Sequence, residues 1–335
     1  MKKAVFFGAA QATVHGVYST KTRDELHSFL EFETDHVIQK NEMEQYKDIL
    51  SRAEYIFSTW GMPHMTKEEI HAYLPSLKAV FYGAGSVQGF AREFIEEGIE
   101  VYSAWAANGV PVAEFTFAEI TLATKGYYTR FHRPEEGDSW RGRALGGYSG
   151  AYDIKVGILG AGVIGKMVIE RLKTLSNIEI LVFDPFLPDE WAEEHGVTKT
   201  DLETIFSECT VVSNHLANNK NTVGMINKKH FALMKPYTTF INTGRGAQVV
   251  EADMIEMLEN DETKAAVLDV TYPEPPVHAS PLYSLRNVFL TPHIAGSLGN
   301  EVRRMGEYML AECRSLDAGE KTRYSVSLKM LETMA

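Results

Sequence analysis

Three glycines stand in a G-x-G-x-x-G spacing in Gly160-Ala161-Gly162-Val163-Ile164-Gly165, directly after the apolar residues 156–159. The first glycine allows a tight turn, the second lets backbone N–H groups approach a pyrophosphate, and the third lets a helix pack against the strand. The N-terminus of that helix offers N–H donors and a partial positive charge to an anion. The turn therefore predicts dinucleotide binding through Gly160, Gly162, Val163, Ile164 and Gly165. The alternative is a purely structural turn in a flavodoxin-like fold.

An acidic residue, Asp184, follows the next apolar run about 20 residues after the last glycine, where a ribose-binding carboxylate is expected. Such a carboxylate accepts hydrogen bonds from the ribose hydroxyls of NAD and repels the 2′-phosphate of NADP. No arginine follows at once, since the next residues are Pro185, Phe186 and Leu187. The pattern favours NAD over NADP.

A second glycine-rich turn, Gly83-Ala84-Gly85-Ser86-Val87-Gln88-Gly89, also follows an apolar run, but its last glycine comes one position too late for the dinucleotide spacing. The backbone N–H groups of such a turn can bind a smaller anion. Gly83, Ala84 and Gly85 are therefore predicted to bind a substrate carboxylate. The alternative is a strand-to-helix turn that needs glycine for positive φ.

Three polar side chains follow late apolar runs: Arg245 after 240–242, Glu274 after 267–269, and His293 after 289–290. The carboxyl ends of strands are where an open α/β sheet collects its ligand-binding residues. We therefore expect the three to converge beside a bound nicotinamide. His215, which follows 211–214, is the alternative acid/base.

The elements that position these residues are predicted from the alternation of short apolar runs with longer amphipathic stretches, which is typical of an α/β fold with parallel sheets. The expected strands lie near 4–7, 55–58, 79–82, 98–102, 156–159, 179–183, 211–214, 239–242, 265–268 and 288–290. The expected helices lie near 22–30, 66–73, 87–96, 112–129, 162–175, 201–207, 251–259 and 298–316. Residues 133–150, rich in Gly, Arg and Trp, are predicted to form an extended arm.

Composition narrows the class of protein. The 335 residues carry 33 Lys and Arg against 45 Asp and Glu, and a net charge of −12 disfavours a nucleic-acid partner. Cys209 and Cys313 form neither a disulfide framework nor a metal-binding spacing, so no metal and a reducing, cytoplasmic compartment are expected. No apolar run approaches the ~18 residues of a membrane helix, and residues 4–7 are predicted to be a strand rather than part of a signal peptide.

Taken together, these motifs resemble the D-isomer-specific 2-hydroxyacid dehydrogenases over nearly the whole chain. The matching strings are G-A-G-V-I-G with Asp184, N-T-G-R-G around Arg245, L-D-V-T-Y-P-E-P around Glu274, and T-P-H-I-A-G-S around His293. Four motifs in the family's order are far more specific than any single one.

The resemblance implies a reaction and a role for each residue. A 2-hydroxy acid loses its hydroxyl proton while its carbon transfers a hydride to the nicotinamide of NAD. His293 would be the acid/base, because histidine exchanges protons near neutral pH, and Glu274 would hold its ring. Arg245 would bind the substrate carboxylate. Asp269, five positions before Glu274, is an alternative partner for the histidine. The resemblance places it instead at the nicotinamide carboxamide, with Thr243 and Gly296 also at the cofactor.

The resemblance further implies two domains. Residues 1–103 with 297–335 would form a substrate domain, and 104–296 a larger NAD-binding Rossmann domain. Both would be flavodoxin-like or Rossmann-like with parallel sheets, and the active-site cleft would lie between them. The family also implies a homodimer formed through residues 112–150.

The substrate is expected to be a small or moderately apolar 2-keto acid, such as glyoxylate or hydroxypyruvate. Phosphoglycerate is less favoured, because only His64 and Lys67 supply cations near the predicted pocket. The chain departs from the family at Ser86-Val87-Gln88, where an acid is common, and at Ala217-Asn218, where Pro-Leu is common. The alternative functions are an NAD-sensing, corepressor-like binding protein and a phosphoglycerate or phosphite dehydrogenase.

Overall fold

The computed structural model describes residues 1–130 and 148–332. The chain divides into two compact units, Met1–Gly109 with Ser297–Ala335 and Val110–Gly296. Among the described residues, no helix combines the length and the apolar character that crossing a bilayer requires.

Helices and strands are numbered in chain order. The N-terminal elements are β1 (Lys2–Phe7), α1 (Gln11–Val17), α2 (Thr20–His27), β2 (Leu30–Ile38), α3 (Lys47–Arg52), β3 (Tyr55–Ser58), α4 (Lys67–Tyr73), β4 (Ala79–Tyr82), α5 (Ala91–Glu96), β5 (Glu100–Ser103) and α6 (Trp105–Thr124). The central elements are α7 (Tyr127–Arg130), β6 (Ile154–Leu159), α8 (Val163–Leu172), β7 (Ile178–Phe183), α9 (Asp189–His195), β8 (Thr198–Lys199), α10 (Leu202–Glu208), β9 (Val211–Asn214), α11 (Lys228–Phe231), β10 (Thr239–Asn242), α12 (Glu251–Asn260), β11 (Ala265–Leu268) and β12 (Val288–Leu290). The last elements are α13 (Val302–Asp317), β13 (Ser325–Val326) and α14 (Leu328–Leu331).

The first unit is built on one sheet with the order β13-β5-β4-β3-β1-β2. The strands β1 to β5 pair in parallel, and β13 adds an antiparallel edge to β5. Counted from the other edge, the order 2-1-3-4-5 is that of the flavodoxin-like folds. Alternate residues fill two cores: Phe7 and Ile56 face one side of the sheet, and Phe6 and Phe57 face the other. Helices therefore cover both faces, as a parallel sheet requires.

The second unit is built on a sheet with the order β12-β11-β10-β9-β6-β7-β8, in which every neighbouring pair is parallel. Within this unit the order reverses between β6 and β9, as it does in a Rossmann fold. Ligands bind outside the carboxyl ends of the strands at such a switch point. The α/β fold class, with parallel sheets of flavodoxin-like and Rossmann-like order, is confirmed.

The strand β2 was not predicted, and the helix predicted to run to residue 30 ends at His27. The sequence of β2, L-E-F-E-T-D-H-V-I, carries charges at alternate positions that are exposed or half-buried. It lies at the edge of the sheet, beside β1 alone. An edge strand buries little of one face and therefore lacks the continuous apolar run that marked β1, β3 and β4.

The helix expected over 112–129 begins earlier, as α6, and contains Pro111 within it. Pro111 is the seventh residue of α6, so it removes one hydrogen bond of the helix interior, and the helix nevertheless continues to Thr124. The predicted arm over 133–150 lies mostly in residues 131–147, outside the described residues. The helices α1, α3 and α9, of six or seven residues each, were also not predicted.

Candidate active site

The dinucleotide turn joins β6 to α8 with the geometry that its glycines predict. Gly160 has φ +89°, and a Cβ there would lie 2.8 Å from the carbonyl oxygen of His215. A Cβ at Gly165 would overlap the carbonyl oxygen of Gly160, whereas a Cβ at Gly162 would meet nothing within 4 Å. The first and third glycines are therefore required by packing, and the second borders open space at the start of α8. This arrangement fits a bound pyrophosphate.

Asp184 lies beside this turn at the carboxyl end of β7. Its Oδ2 accepts a hydrogen bond from Ala161 N at 2.8 Å, and its Oδ1 accepts one from Phe186 N at 2.8 Å. A carboxylate offers about four acceptor positions, so capacity for the ribose hydroxyls is left. The two bonds hold the carboxylate next to the phosphate-binding turn, which fits the dinucleotide.

The structure brings His293 and Glu274 into direct contact within the second unit, which also holds Arg245. His293 Nδ1 lies 2.6 Å from Glu274 Oε1, and both side chains are about half exposed. Burial lowers the pKa of Arg245, and the negative charge of Glu274 acts in the opposite direction. Because Nδ1 is bonded to Glu274, Nε2 is the ring nitrogen that can exchange a proton with a substrate.

The loop that carries His293 is held by Asp269, which follows β11. Oδ1 of Asp269 accepts hydrogen bonds from Thr291 Oγ1 at 2.6 Å and Ile294 N at 2.8 Å, and Oδ2 accepts one from Ala295 N at 3.0 Å. The backbone N–H of His293 also donates to Asp269 O at 3.1 Å. The sequence offers Asp269 as an alternative partner of the histidine and, by family similarity, as a contact of the nicotinamide carboxamide, but it carries no local signal for these bonds to the loop.

His293 itself has φ +55°, in the left-handed region that side chains other than glycine rarely adopt. Such strain persists where the surrounding structure determines the backbone, and it is concentrated at functional sites. Here the hydrogen bonds to Asp269 hold the backbone of His293 in this conformation.

Arg245 lies in the loop after β10. Its Nη1 donates to Gly244 O at 2.8 Å, and the neighbouring Thr243 Oγ1 lies 2.8 Å from Thr116 Oγ1 on α6. A Cβ at Gly246 would overlap the backbone of Thr271, so the loop is packed directly on the chain after β11. The cofactor-site candidate Gly296 ends the second unit.

His215, the alternative acid/base, has a different environment. Its Nε2 lies 2.9 Å from Ser213 Oγ, its backbone N–H donates to Leu159 O at 2.7 Å, and burial lowers its pKa to about 4. The ring is therefore neutral at physiological pH, and its hydrogen bonding is to Ser213 rather than to Arg245, Glu274 or His293.

The turn at Gly83, Ala84 and Gly85 belongs to the first unit. Thr59 Oγ1 donates to Gly83 O at 2.7 Å, and Ser103 Oγ donates to Ala84 O at 3.0 Å and to Gly85 O at 2.6 Å. Neither glycine has positive φ, so the alternative, a turn that needs glycine for positive φ, does not describe Gly83 or Gly85. Gly83 is instead required by space, because a Cβ would lie 2.6 Å from Val17.

Comparison with known proteins places this site in a family. Residues 120–295 match the family described as "D-isomer specific 2-hydroxyacid dehydrogenase, NAD binding domain". A D-3-phosphoglycerate dehydrogenase of Archaeoglobus fulgidus is 31% identical over 240 residues, which are 71% of this chain and 44% of the relative. The chain thus spans about half the length of the first curated relatives that it matches.

Two solved structures share the fold. A phosphoglycerate oxidoreductase from Rhizobium etli superimposes with a TM-score of 0.81 at 22% identity, covering 99% of this chain and all of the other. A D-isomer specific 2-hydroxyacid dehydrogenase of Lactobacillus delbrueckii ssp. bulgaricus, in its NAD-complexed form, gives 0.77 at 20% identity and covers 97% and 100%.

The second unit is therefore a Rossmann-type NAD-binding fold. The chain belongs to the D-isomer-specific 2-hydroxyacid dehydrogenase family, and its cofactor is NAD.

Proposed function

We propose that this protein interconverts a 2-keto acid and a D-2-hydroxy acid with NADH or NAD. The observation that carries the proposal is the pair formed by His293 and Glu274, 2.6 Å apart, with Arg245 after β10 of the same unit. An acid/base and a fixed cation are the two groups that reduction of a keto acid requires from the protein.

Each residue has one role in this mechanism. Arg245 binds the substrate carboxylate and polarises the keto oxygen, for which a planar guanidinium is better suited than an ammonium. His293 Nε2 donates a proton to the keto oxygen during reduction and removes it during oxidation. Glu274 orients the ring through Nδ1 and stabilises the protonated imidazole. Hydride transfer is the chemistry that NAD supplies when it is bound.

The turn at Gly83, Ala84 and Gly85 is proposed to bind the substrate carboxylate as well. The hydroxyls of Thr59 and Ser103 hold all three carbonyl oxygens of the turn. This arrangement directs the carbonyl dipoles toward the protein, which favours an anion on the amide side.

The substrate is proposed to be a small, unphosphorylated 2-keto acid, such as glyoxylate or hydroxypyruvate. The cations considered for a phosphate are already neutralised: Lys67 Nζ lies 2.9 Å from Glu96 and 3.4 Å from Glu97, and His64 Nε2 lies 3.2 Å from Glu93. A substrate phosphate would have to displace these carboxylates.

The test is a panel of 2-keto acids with NADH, in which cofactor oxidation is followed for the wild type, His293→Ala and Arg245→Ala. We expect His293→Ala to lower kcat by 10²- to 10⁴-fold, because it removes the proton donor. Arg245→Ala should also raise KM. The matched control is His27→Ala, which removes another histidine 2.8 Å from a carboxylate, that of Asp35. Turnover that survives in His293→Ala, or the absence of turnover in the wild type, would contradict the proposal.

We further propose that the chain forms a homodimer in the cytoplasm. The partly exposed apolar side chains of Leu122 and Tyr127, near the C-terminal end of α6 and on α7, support a protein contact in the region 112–150. The buried free thiols of Cys209 and Cys313 are compatible with a reducing compartment. Light scattering of the purified protein measures its mass in solution, and a mass close to the 37.5 kDa of one chain would reject the homodimer.

A further inference from the structure

The backbone of Arg245 is bonded to a buried network of three side-chain amides. Asn214 ends β9, Asn242 ends β10, and Gln248 lies in the short 3-10 turn Gly246–Gln248. All three side chains are almost completely buried. Burying an amide costs free energy unless its donors and acceptors are hydrogen-bonded. The partners of these three amides therefore indicate what the cluster does.

The three amides are bonded to one another. Asn214 Nδ2 donates to Asn242 Oδ1 at 3.0 Å and to Gln248 Oε1 at 2.6 Å. The remaining groups bond the neighbouring backbone: Asn214 Oδ1 accepts from Leu216 N at 3.3 Å, and Gln248 Nε2 donates to Leu216 O at 2.6 Å. The network therefore joins the carboxyl ends of two strands to the loop after β9.

Both backbone polar groups of Arg245 bond to this network. Arg245 N donates to Gln248 Oε1 at 3.3 Å, and Arg245 O accepts from Asn242 Nδ2 at 3.2 Å. Gly244 N also donates to Asn242 Oδ1 at 3.1 Å. The peptide units on either side of Arg245 are thus fixed by side chains that themselves have no freedom to move.

The fit is close enough to constrain the sequence of the loop. A Cβ at Gly244 would lie 3.1 Å from Asn214 O and 3.2 Å from both Asn214 Nδ2 and Gln248 Oε1. Those contacts are tighter than ordinary van der Waals separations, so the network and the glycine depend on each other.

We propose that Gln248, with Asn214, is a positioning residue for Arg245. Its amide holds the backbone from which the guanidinium is directed at the substrate carboxylate. This inference rests on the proposed function, in which Arg245 binds that carboxylate. A small displacement of a substrate-binding group lowers the rate strongly, on the order of 10²-fold for about 1 Å.

The test replaces Gln248 by methionine, which has a similar length and volume but neither amide group. We expect Gln248→Met to raise the KM for the keto acid and the Kd of oxamate measured with saturating NADH, with a loss in kcat/KM of about 10- to 100-fold. The Kd of NADH, measured by its fluorescence, should change less than threefold. If this variant does not fold, Asn214→Ser tests the same network with a smaller change.

Two comparisons distinguish positioning from loss of stability. In an Arg245→Ala background, Gln248→Met should have almost no further effect on oxamate binding, because the group that it positions is gone. The matched control is Asn287→Leu, which removes another buried amide of the same unit, one that donates to Leu258 O at 3.0 Å and Lys264 O at 2.8 Å. We expect that control to lower the Tm without raising the KM.

The outcomes are separable. Wild-type turnover together with an unchanged KM in Gln248→Met would overturn this inference alone, as would an equal loss of oxamate binding with and without Arg245. Absence of keto-acid turnover in the wild type would reject the proposed function and this inference with it.

Discussion

Glu119, on α6, provides a prediction that depends on the ionisation of a single half-buried carboxyl. Its Oε2 is buried without a hydrogen-bond partner, and burial, with a smaller contribution from the charge of Asp269, raises its pKa to about 7. In the unfolded chain the same carboxyl has its ordinary value of 4.5. Folding therefore becomes less favourable as pH rises from about 4.5 to about 7, where the unfolded chain loses this proton and the folded protein keeps it.

The magnitude follows from the shift. A difference of about 2.5 units corresponds to about 3.4 kcal/mol at most, and partial solvent exposure reduces the expected value to about 2 kcal/mol. Glu119→Gln removes the ionisation while keeping the shape of the side chain. We expect the variant to be about 2 kcal/mol more stable than the wild type at pH 8 and equally stable at pH 4, below both pKa values.

Urea unfolding at pH 4 and at pH 8, followed by circular dichroism, measures this difference. The control is Glu114→Gln on the same helix, whose exposed carboxylate lies 3.3 Å from Arg171. That variant should change stability by less than about 1 kcal/mol at either pH. Equal stabilisation by Glu119→Gln at pH 4 and pH 8 would refute the reasoning, since the effect would then come from packing rather than from charge.

Three further results are expected. Asp269→Asn replaces the oxygen that accepts from Ala295 N by an NH₂ group. We therefore expect the free energy of unfolding, measured in urea, to fall by about 2 kcal/mol and kcat to fall as well. Unchanged values of both would show that the carboxylate does not hold the loop. Asp184→Ala should lower the ratio of kcat/KM with NADH to kcat/KM with NADPH, because the carboxylate that repels the 2′-phosphate is gone. A wild type that prefers NADPH would contradict this role of Asp184. Gly165→Ala introduces a Cβ that overlaps Gly160 O, so we expect the Kd of NADH, measured by fluorescence titration, to rise at least 10-fold. An unchanged Kd would contradict this expectation.

The dinucleotide turn is a feature that could be predicted from local sequence alone. The glycine requirement arises from the backbone of the turn itself, and Asp184 follows it at the distance set by one helix and one strand, so both could be predicted without coordinates. The polar residues after β10, β11 and β12 could be predicted for the same reason, because parallel strands bring their carboxyl ends to one edge.

Other features could not be predicted in this way. The strand β2 has the composition of an exposed segment, and only its pairing with β1 makes it a strand. The roles of Asn214 and Gln248 depend on a contact between residues 34 positions apart, for which neither residue carries a local signal. The sequence shows that Asn214 and Asn242 follow apolar runs, but it does not show which groups their amides bond to.

The amino-acid sequence by itself determined the fold class, the cofactor and the identity of the residues that could react, because these depend on backbone sterics, on periodicity and on the chemistry of single side chains. Tertiary structure alone decided what each of those residues bonds to. It directed both oxygens of Asp269 to the His293 loop, buried Oε2 of Glu119 without a hydrogen-bond partner, and joined the distant Asn214 to the two amides that flank Arg245. The physical reason is that burial and hydrogen-bond pairing are set by which segments pack together, and packing brings together residues that are remote in the chain.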